Sequence, residues 1–462
     1  MEYIGLREIR SGSLIVLEGV ENPSFEEIVS INVNGYKEKI GKVVQIFGNK
    51  VIIQVFEGAE DLTLHNTITQ FTGKPMELKL SEEILGRVFD GTGKPIDGMG
   101  DIYAECRRDV NGKAINPVSR VYPRNFIQTG ISAIDGLATL IRGQKLPIFT
   151  GDGLPHNQLA AQIVRQASLG AGANENFAIV FAAMGVKYDV ADYFRRSFED
   201  SGALEHVVMF LNLANDPVAE RIITPRAALT AAEYLAYDKG MHILVILTDM
   251  TSYAEALREI SNSRGEIPSR KGYPGYLYSE LASLFERAGI VRNGKGSVTQ
   301  IPILTMPNDD ITHPVPDLTG YITEGQIVLD RSIYQKGVYP PINILASLSR
   351  LMKDGIGEGY TRKDHPEVSN QIFSSYAHVT DVRALASVIG EDELSELDKR
   401  YIAFGNILEK RFINQSRTDN RAISDTIQLG WDILGILPRS ELDRIKADTL
   451  DRYYKPRNAS DF

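Results

Sequence analysis

The fold is decided by residues 146–165, LPIFTGDGLPHNQLAAQIVR. The apolar run at 146–149 predicts a strand, the glycines of 151–153 predict a turn, and the apolar spacing of 159–164 predicts a helix. A strand, a glycine turn and a helix in this order are the layout of a phosphate-binding loop. The sequence therefore predicts that layout here.

The residues that would bind phosphate are missing from this loop. A working loop has a glycine, four residues and then Gly-Lys-Ser/Thr. Counting from Gly151 places His156, Asn157 and Gln158 at those last three positions. The lysine cation and the hydroxyl that ligates Mg²⁺ are both absent. We predict that the loop keeps its shape but binds nucleotide poorly; the alternative is a nucleotide site with unusual ligands.

The composition restricts the class of protein. The chain has 462 residues, of which 43% are hydrophobic and 24% charged, as is typical of globular proteins. A net charge of −10 argues against nucleic acid as a partner, and the single cysteine, Cys106, excludes an internal disulfide. No apolar run approaches the length of a membrane span, and the start lacks the pattern of a signal peptide. We expect a cytoplasmic chain that reaches a membrane only through partners.

The residue pattern changes twice along the chain and predicts three domains. Residues 1–75 contain short β-branched segments separated by turns, with a hairpin turn at Gly48-Asn49, and they predict a small antiparallel β-barrel. Residues 76–350 alternate continuous apolar runs with amphipathic stretches, which predicts an α/β domain with a parallel sheet. Residues 351–462 carry apolar side chains at steps of three and four and predict a helical bundle. The predicted strands are 14–17, 28–33, 40–47, 51–56, 177–182, 207–211, 243–247 and 301–304; the predicted helices include 217–237, 276–288, 420–434 and 440–453.

Three motifs give this arrangement a family resemblance. They are LGRVFDGTGKPIDG at 85–98, GYPGYLYSELASLFERAG at 272–289 and PPINILASLS at 340–349. Together they resemble the head subunits of rotary ATPases, and the last matches the signature of that superfamily. The resemblance covers essentially the whole chain and is strongest to the non-catalytic B subunits of V-type and A-type ATPases. It implies a RecA-like P-loop sheet domain between the barrel and the helical bundle.

Two more positions bear on hydrolysis. Asp249 ends the predicted strand at 242–248, where a Walker B carboxylate would organise Mg²⁺. Because the loop offers no hydroxyl partner, we favour a structural hydrogen-bonding role for it. Catalytic subunits of the superfamily also need a glutamate after the strand beside the loop, whereas Lys187 and Tyr188 follow Gly185 here. The chain is therefore predicted not to hydrolyse ATP alone, and its seven histidines show no metal-ligand spacing.

Arg350 is the predicted functional residue. It directly follows Ser349, where the resembling family carries an arginine finger. The resemblance implies a ring of three such subunits alternating with three catalytic A subunits, in which Arg350 meets ATP or ADP with Mg²⁺ held by the neighbour. A guanidinium suits this role because it is always charged and its fork matches phosphate oxygens. Ser347 is a weaker candidate at the same shared site and is expected mainly to shape the turn, and the alternative for Arg350 is a local ion pair with Asp354.

The resemblance also implies partners and leaves rivals open. The partners are the catalytic A subunit, the central and peripheral stalks and, indirectly, a membrane sector that moves H⁺ or Na⁺. Residues 391–396, EDELSE, resemble an acidic lever that faces the central stalk, although a capped helix start explains them equally well. One rival is a self-sufficient hexameric secretion-type ATPase, which an intact Gly-Lys-Thr would have favoured. The other rival is a purely structural ring scaffold. We expect this chain to bind no cofactor tightly, whether it is a B subunit with an arginine finger or a scaffold.

Overall fold

The computed structural model describes residues 2–10, 13–33, 38–170 and 175–462. The chain divides into two compact units. The first comprises Met1–Ala114, Ala178–Lys239 and Val245–Arg287, and the second comprises the remaining residues. The predicted domain boundaries, 1–75, 76–350 and 351–462, stay a prediction.

The strands of the described ranges are from two to ten residues long. They are β1 Glu2–Ile4, β2 Glu8–Arg10, β3 Leu14–Glu18, β4 Ile28–Val33, β5 Lys39–Phe47, β6 Lys50–Val55, β7 Thr67–Phe71, β8 Glu77–Leu80, β9 Val88–Asp90, β10 Cys106–Asp109, β11 Arg120–Val121, β12 Phe126–Ile127, β13 Leu140–Ile141, β14 Ile148–Gly151, β15 Phe177–Val186, β16 Val207–Leu213, β17 His242–Thr248, β18 Gly289–Val291, β19 Ser297–Met306, β20 Gly325–Val328 and β21 Leu348–Ser349.

The α-helices of the same ranges begin only after residue 130. They are α1 Ser132–Leu137, α2 His156–Gln166, α3 Tyr188–Asp200, α4 Val218–Glu233, α5 Met250–Ser263, α6 Leu277–Phe285, α7 Pro314–Ile322, α8 Arg331–Gln335, α9 Met352–Gly355, α10 His365–Ile389, α11 Glu396–Ile407, α12 Ile423–Leu434 and α13 Ala447–Tyr453. Single turns of π-helix extend α4 and α11 at their carboxyl ends.

The first unit opens with an antiparallel half-barrel. Among the described residues, β1 to β7 form one sheet in the order β1-β7-β4-β5-β6-β3-β2. The β5–β6 hairpin turns at Gly48-Asn49, as predicted, with a positive φ of 56° at Gly48. Alternate side chains, such as Val29, Val43 and Ile53, are fully buried in its core. The four strands predicted before residue 57 are confirmed to within one residue at each end.

The remainder of the first unit contains parallel strands and helices. β16 pairs in parallel with β15 on one side and with β9 on the other. These strands are almost continuously apolar and buried, which is the pattern of a parallel sheet covered on both faces. The helix α3 packs on β15 through Phe194, whose ring centroid lies 4.5 Å from that of Phe181.

The second unit is organised around β14. This strand pairs in parallel with β19 and with β20, so that Ile148 is in register with Ile303 and Ile327. β21 pairs with β20 in the antiparallel sense. The predicted strand at 146–149 is wrong by two residues, because Pro147 lacks the N–H needed to join the ladder. The carboxyl ends of β14, β19 and β20 therefore lie at the same edge of this sheet.

Helices α10 to α13 complete the second unit. The indole of Trp431 is buried and donates a hydrogen bond from Nε1 to Asp364 Oδ2 at 2.5 Å. The helix predicted at 440–453 is partly wrong, because residues 439–441 form one 3-10 turn and α13 begins only after the extended Lys446. The predicted fold class, an α/β core with an N-terminal antiparallel β domain and C-terminal helices, is confirmed.

Candidate functional site

In the loop that follows β14, two backbone N–H groups donate hydrogen bonds to carbonyl oxygens of the same loop. The N–H of Leu154 donates to the Gly151 carbonyl at 3.2 Å, and the N–H of His156 donates to the Leu154 carbonyl at 2.8 Å. The helix α2 begins at His156, and Pro155 supplies no side-chain cap. A phosphate-binding loop turns such N–H groups toward the ligand. Here two of them are directed toward carbonyl oxygens of the loop itself.

An ion pair lies against the first glycine of the loop. Arg331 donates from Nε to Asp309 Oδ2 at 2.7 Å and from Nη2 to the carbonyl oxygen of Asp152 at 2.9 Å. A Cβ placed on Gly151 would lie only 1.9 Å from Asp309 Oδ1, so a side chain at this position would displace the carboxylate. The guanidinium of Arg331 holds the pKa of the Asp309 carboxyl below its usual range. The space beside the loop is therefore occupied by a carboxylate whose charge is paired with Arg331.

This ion pair was not predicted from the sequence. Gly151 ends β14, Asp309 follows the end of β19, and Arg331 follows the end of β20. The three residues meet because β19 and β20 both pair in parallel with β14, which brings their carboxyl ends to one edge. The only available signal in the sequence was that both charged residues follow apolar runs, and using it requires the strand order.

The residues present do not fit a nucleotide triphosphate in this chain's own loop. Asn157 and Gln158 occupy the lysine and hydroxyl positions, the two loop N–H groups named above are already bonded, and the Asp309 carboxylate, paired with Arg331, occupies the space beside Gly151. The structure has the predicted strand–turn–helix shape at 151–158, and weak nucleotide binding by this loop stays a prediction.

Asp249, at the position of a Walker B carboxylate, lies at the amino end of α5. Its Oδ1 accepts a hydrogen bond from the N–H of Thr251 at 2.8 Å, which makes Asp249 the N-cap of that helix. This is the structural role that the sequence favours. The contact satisfies a helix N–H that would otherwise lack an intrahelical partner.

The turn after β15 holds a second arginine that sequence reasoning missed. Gly185 has a φ of 66°, and its N–H donates to Asn212 Oδ1 at 3.1 Å. The same oxygen accepts from Arg221 Nε at 2.9 Å. Lys187 and Tyr188 are both exposed, and the first carboxylate of the following helix is Asp189. Residues 184–188 therefore contain no glutamate, and the side chain beside Gly185 is Arg221, which donates to the Asn212 amide oxygen.

Arg350 is exposed and makes one weak side-chain contact. Its Nη1 donates to the Thr323 carbonyl at 3.3 Å, and its backbone N–H donates to the Glu324 carbonyl at 2.9 Å. Within the described ranges no carboxylate pairs with the guanidinium. Asp354, the alternative partner, instead accepts a hydrogen bond from the hydroxyl of Tyr122 at 2.8 Å.

Arg350 also lies at the far end of β20 from the loop. β21 pairs with β20 so that Ser349 is in register with Gly325, the first residue of β20. Arg331 follows the opposite, carboxyl end of the same strand. At about 3.3 Å per residue, the five steps from Glu324 to Leu329 span roughly 16 Å. That distance exceeds the reach of one arginine side chain, so Arg350 does not approach its own chain's loop.

Ser347 is buried, and its hydroxyl has both a donor and an acceptor. Its Oγ accepts from the N–H of Val328 at 2.9 Å and donates to the Asn343 carbonyl at 2.7 Å. Ser349 donates from Oγ to the Thr139 carbonyl at 2.8 Å. The two hydroxyls fix the backbone that carries Arg350.

None of the helices that the structure describes is both long and apolar enough to cross a membrane.

Two family descriptions match the chain. Residues 130–349 match the nucleotide-binding domain of the ATP synthase alpha/beta family, and residues 354–454 match the C-terminal domain of V and A type ATP synthase. The first match includes the loop, Asp249 and the segment up to Ser349 that leads directly into Arg350.

Relatives match the chain almost from end to end. The V-type ATP synthase beta chain of Halothermothrix orenii is 62% identical over 454 residues, which cover 98% of each chain. The B subunit of the A-type ATP synthase of Aeropyrum pernix is 56% identical over 453 residues, which cover 98% of this chain and 97% of that one. The structure of an ATP synthase subunit, NeqB from Nanoarcheaum equitans, superposes with a TM-score of 0.73 at 41% identity and covers 91% of this chain and 98% of that one. The chain therefore belongs to the ATP synthase alpha/beta family, as a member of the B subunits, or beta chains, of V-type and A-type ATP synthases.

Proposed function

We propose that this chain is the non-catalytic B subunit of a V/A-type rotary ATPase and that Arg350 acts in trans on the neighbouring subunit's nucleotide. Three copies would alternate with three catalytic A subunits in a ring. The ring would couple hydrolysis or synthesis of ATP to movement of H⁺ or Na⁺ through a separate membrane sector, to which this chain is attached only through the assembled complex.

The observation that carries the proposal is the state of Arg350. Its guanidinium is exposed, has one 3.3 Å bond to the Thr323 carbonyl and has no carboxylate partner among the described residues. Exposed ion pairs contribute little to folding, and Arg350 makes none among the described residues, so folding does not account for its position. An exposed arginine with a weak tether remains available to bind phosphate oxygens of another molecule.

The position of Arg350 supports action on another chain. Its own loop lies at the opposite end of β20 and carries an internal carboxylate, Asp309, rather than a phosphate cradle. Chemistry by Arg350 in its own chain is therefore excluded by distance. In the proposed ring Ser347 and Ser349 hold the Arg350 segment in place, while the arginine stabilises the negative charge that develops on the transferred phosphoryl group.

The proposed stalk contact is at residues 391–396. Here Ser395 caps α11 by accepting from the N–H of Asp398 at 3.1 Å, with Glu391, Asp392 and Glu393 forming a short 3-10 turn before it. Val388, at the end of the preceding helix α10, is 82% exposed. The Ser395 cap accounts for the segment as a helix start, and a contact with the central stalk rests on its resemblance to the acidic lever.

The test is Arg350→Ala in the ring reconstituted with the catalytic subunit. Loss of a finger supplied in trans typically lowers turnover by about 10³–10⁵-fold, whereas ring assembly should be unchanged. Assembly is measured by native mass spectrometry, which also tests the three-plus-three stoichiometry. Lys353→Ala is the matched control, since Lys353 is an exposed cation three residues away. If the assembled Arg350→Ala ring hydrolyses ATP near the parent rate, Arg350 is not a finger and the chain is a structural scaffold.

A further inference from the structure

Arg350 and Glu324 lie directly opposite each other across two antiparallel strands. In the pairing of β21 with β20, Ser349 is in register with Gly325, so the next pair of this register is Arg350 with Glu324. The backbone N–H of Arg350 donates to the Glu324 carbonyl at 2.9 Å, which continues the ladder by that pair. Directly opposed residues place their side chains on one face of a sheet, with Cβ atoms about 4.5–5.5 Å apart, and opposite charges there attract. The backbone therefore favours an ion pair between these two residues.

The carboxylate of Glu324 is held by Lys145 instead. Glu324 Oε2 accepts from the backbone N–H of Lys145 at 2.8 Å, and Oε1 lies 2.9 Å from the Nζ of the same lysine. The side chain of Lys145 is only 4% exposed, whereas that of Glu324 is 29% exposed. A buried ammonium that loses its anion costs far more free energy than an exposed ion pair contributes. Lys145 is therefore a stronger partner for this carboxylate than the exposed Arg350.

The backbone around the two residues is fixed by further bonds. Gln144 is fully buried, and its Nε2 donates to the Glu324 carbonyl at 3.1 Å and to Ser349 Oγ at 2.9 Å. The N–H of Glu324 donates to the Lys145 carbonyl at 3.1 Å. Arg350 thus stays opposite Glu324, and the partner of the carboxylate decides whether the arginine is paired.

We propose that Lys145 is a positioning residue, which keeps Arg350 available by holding the Glu324 carboxylate away from it. The Arg350 guanidinium retains only the 3.3 Å bond to the Thr323 carbonyl, with no carboxylate partner among the described residues. Without Lys145, the carboxylate would turn to the cation opposite it and occupy donors that otherwise match phosphate oxygens. The effect on ATP turnover rests on the proposed role of Arg350 in trans, whereas the choice of partner by Glu324 does not.

The pairing is tested on the full chain with phenylglyoxal, which modifies accessible guanidinium groups, followed by peptide mass spectrometry. We expect Arg350 to react at least about tenfold more slowly in Lys145→Met than in the parent, since a hydrogen bond between charged groups accounts for such a factor. The double variant Lys145→Met and Glu324→Gln should react at the parent rate, because no carboxylate then remains to pair with Arg350. Arg417, an exposed arginine over the ring of Tyr339, is the internal control and should react equally in all variants.

Two single variants separate the choice of partner from the loss of a cation. Lys336→Met breaks another lysine–glutamate pair of the second unit, at 3.1 Å from Glu409, and should leave labelling of Arg350 unchanged. Glu324→Gln alone should also leave it unchanged, because Lys145 already keeps that carboxylate from the arginine. Faster labelling in Glu324→Gln would show that Glu324 pairs with Arg350 in the parent and would overturn the proposal. Parent-rate labelling in a folded Lys145→Met chain, or slow labelling that Glu324→Gln does not restore, would overturn it as well.

The ring reconstituted with the catalytic subunit separates this inference from the proposed function. Lys145→Met should lower ATP turnover at least about tenfold with assembly unchanged, and adding Glu324→Gln should restore most of it. In an Arg350→Ala ring, Lys145→Met should lower turnover no further, because the residue through which it acts is absent. A further loss there would mean that Lys145 acts on the ring by another route, against the proposal. If Arg350→Ala alone leaves turnover near the parent rate, the proposed function fails, and the labelling rates still decide the role of Lys145.

Discussion

Arg331 joins Asp309 to the loop after β14, with Nε 2.7 Å from Asp309 Oδ2 and Nη2 2.9 Å from the Asp152 carbonyl oxygen. The pair places a fixed carboxylate against Gly151. Restoring the missing phosphate-binding residues would therefore not by itself restore a nucleotide site, because the carboxylate would remain.

The first prediction tests this point with the triple change His156→Gly, Asn157→Lys and Gln158→Thr. We expect the triple variant to bind MgATP about tenfold more tightly, or by ~1.4 kcal/mol, when Asp309→Ala is added, because this change clears the space beside Gly151 and releases Arg331 from its carboxylate partner. Calorimetric titration of the isolated chain measures the difference. Asp310→Ala is the control, because its carboxylate accepts from Thr312 rather than lying on Gly151. Equal affinities with and without Asp309 would contradict the role assigned to it.

The second prediction separates Arg350 from Ser347 by their effect on folding. Arg350→Ala should change the free energy of unfolding of the isolated chain by no more than about 0.5 kcal/mol, since one long bond to a carbonyl is lost. Ser347→Ala should cost about 1–3 kcal/mol, because it leaves the buried N–H of Val328 without an acceptor. Urea unfolding measures both. A large loss from Arg350→Ala would indicate a structural arginine.

The third prediction concerns pH and the carboxyl of Glu220. Burial raises its pKa, and the charges of Asp90 and Asp216 raise it further, to about 7. The unfolded value is about 4.3, so the folded state favours the protonated form. The resulting stability is fully present below the unfolded pKa and is lost as the pH rises through about 7.

The variant Glu220→Gln removes this titration and keeps an oxygen for the Gly91 N–H, which donates to Glu220 at 3.0 Å. We expect the difference in melting temperature, variant minus parent, to increase between pH 5 and pH 8. Each kcal/mol of unfolding free energy that the parent loses over this range should add about 2–4 °C to the difference. Glu199→Gln, at an exposed carboxylate on α3, is the control. A difference that stays constant over this range would contradict the assignment.

The fourth prediction concerns the motif at 85–98, in which Arg87 Nε donates to Asp97 Oδ2 at 2.6 Å. Burial tends to raise the pKa of Asp97, but the Arg87 guanidinium and the N–H groups of Met99 and Val88 lower it to about 2. Both side chains are about nine-tenths buried. Arg87→Met should cost about 3–5 kcal/mol, because it leaves a buried carboxylate unpaired.

The double change Arg87→Met and Asp97→Leu should recover part of that loss, since no charge then remains to be desolvated. The stability due to ionised Asp97 should also be lost as the pH falls through about 2, in the parent alone. Denaturant unfolding of the single and double variants tests both points. If the double variant is less stable than Arg87→Met, the pair does not act by charge compensation.

The sequence predicted those features that depend on neighbouring residues. The Gly48-Asn49 turn and the strands beside it follow from local propensity and alternation, and the loop shape at 151–158 follows from a strand, a glycine turn and a helix. The sequence favoured a structural hydrogen bond for Asp249, and the structure shows this bond as the N-cap of α5. Local chemistry is enough to specify each of these.

Features that depend on strand order were not predictable. Asp309 and Arg331 lie 22 residues apart and meet only because β19 and β20 flank β14. The helix α10 was also missed, although Val368, Ile372, Tyr376 and Val379 are buried on it at steps of four and three. The apolar residues of this helix are spread over several of its faces, so the buried stripe cannot be recognised from the sequence pattern and is seen only in the packed structure.

The inward hydrogen bonds of the loop have a thermodynamic consequence. Leu154 and His156 donate to carbonyl oxygens of the loop itself, so these two N–H groups need no ligand to complete their hydrogen bonds. A protein that binds a ligand only when folded gains stability as the ligand concentration rises. We expect MgATP to leave the melting temperature of this chain unchanged. In a ring, the conformation of this loop would then stay the same while a neighbour that binds nucleotide changes its own.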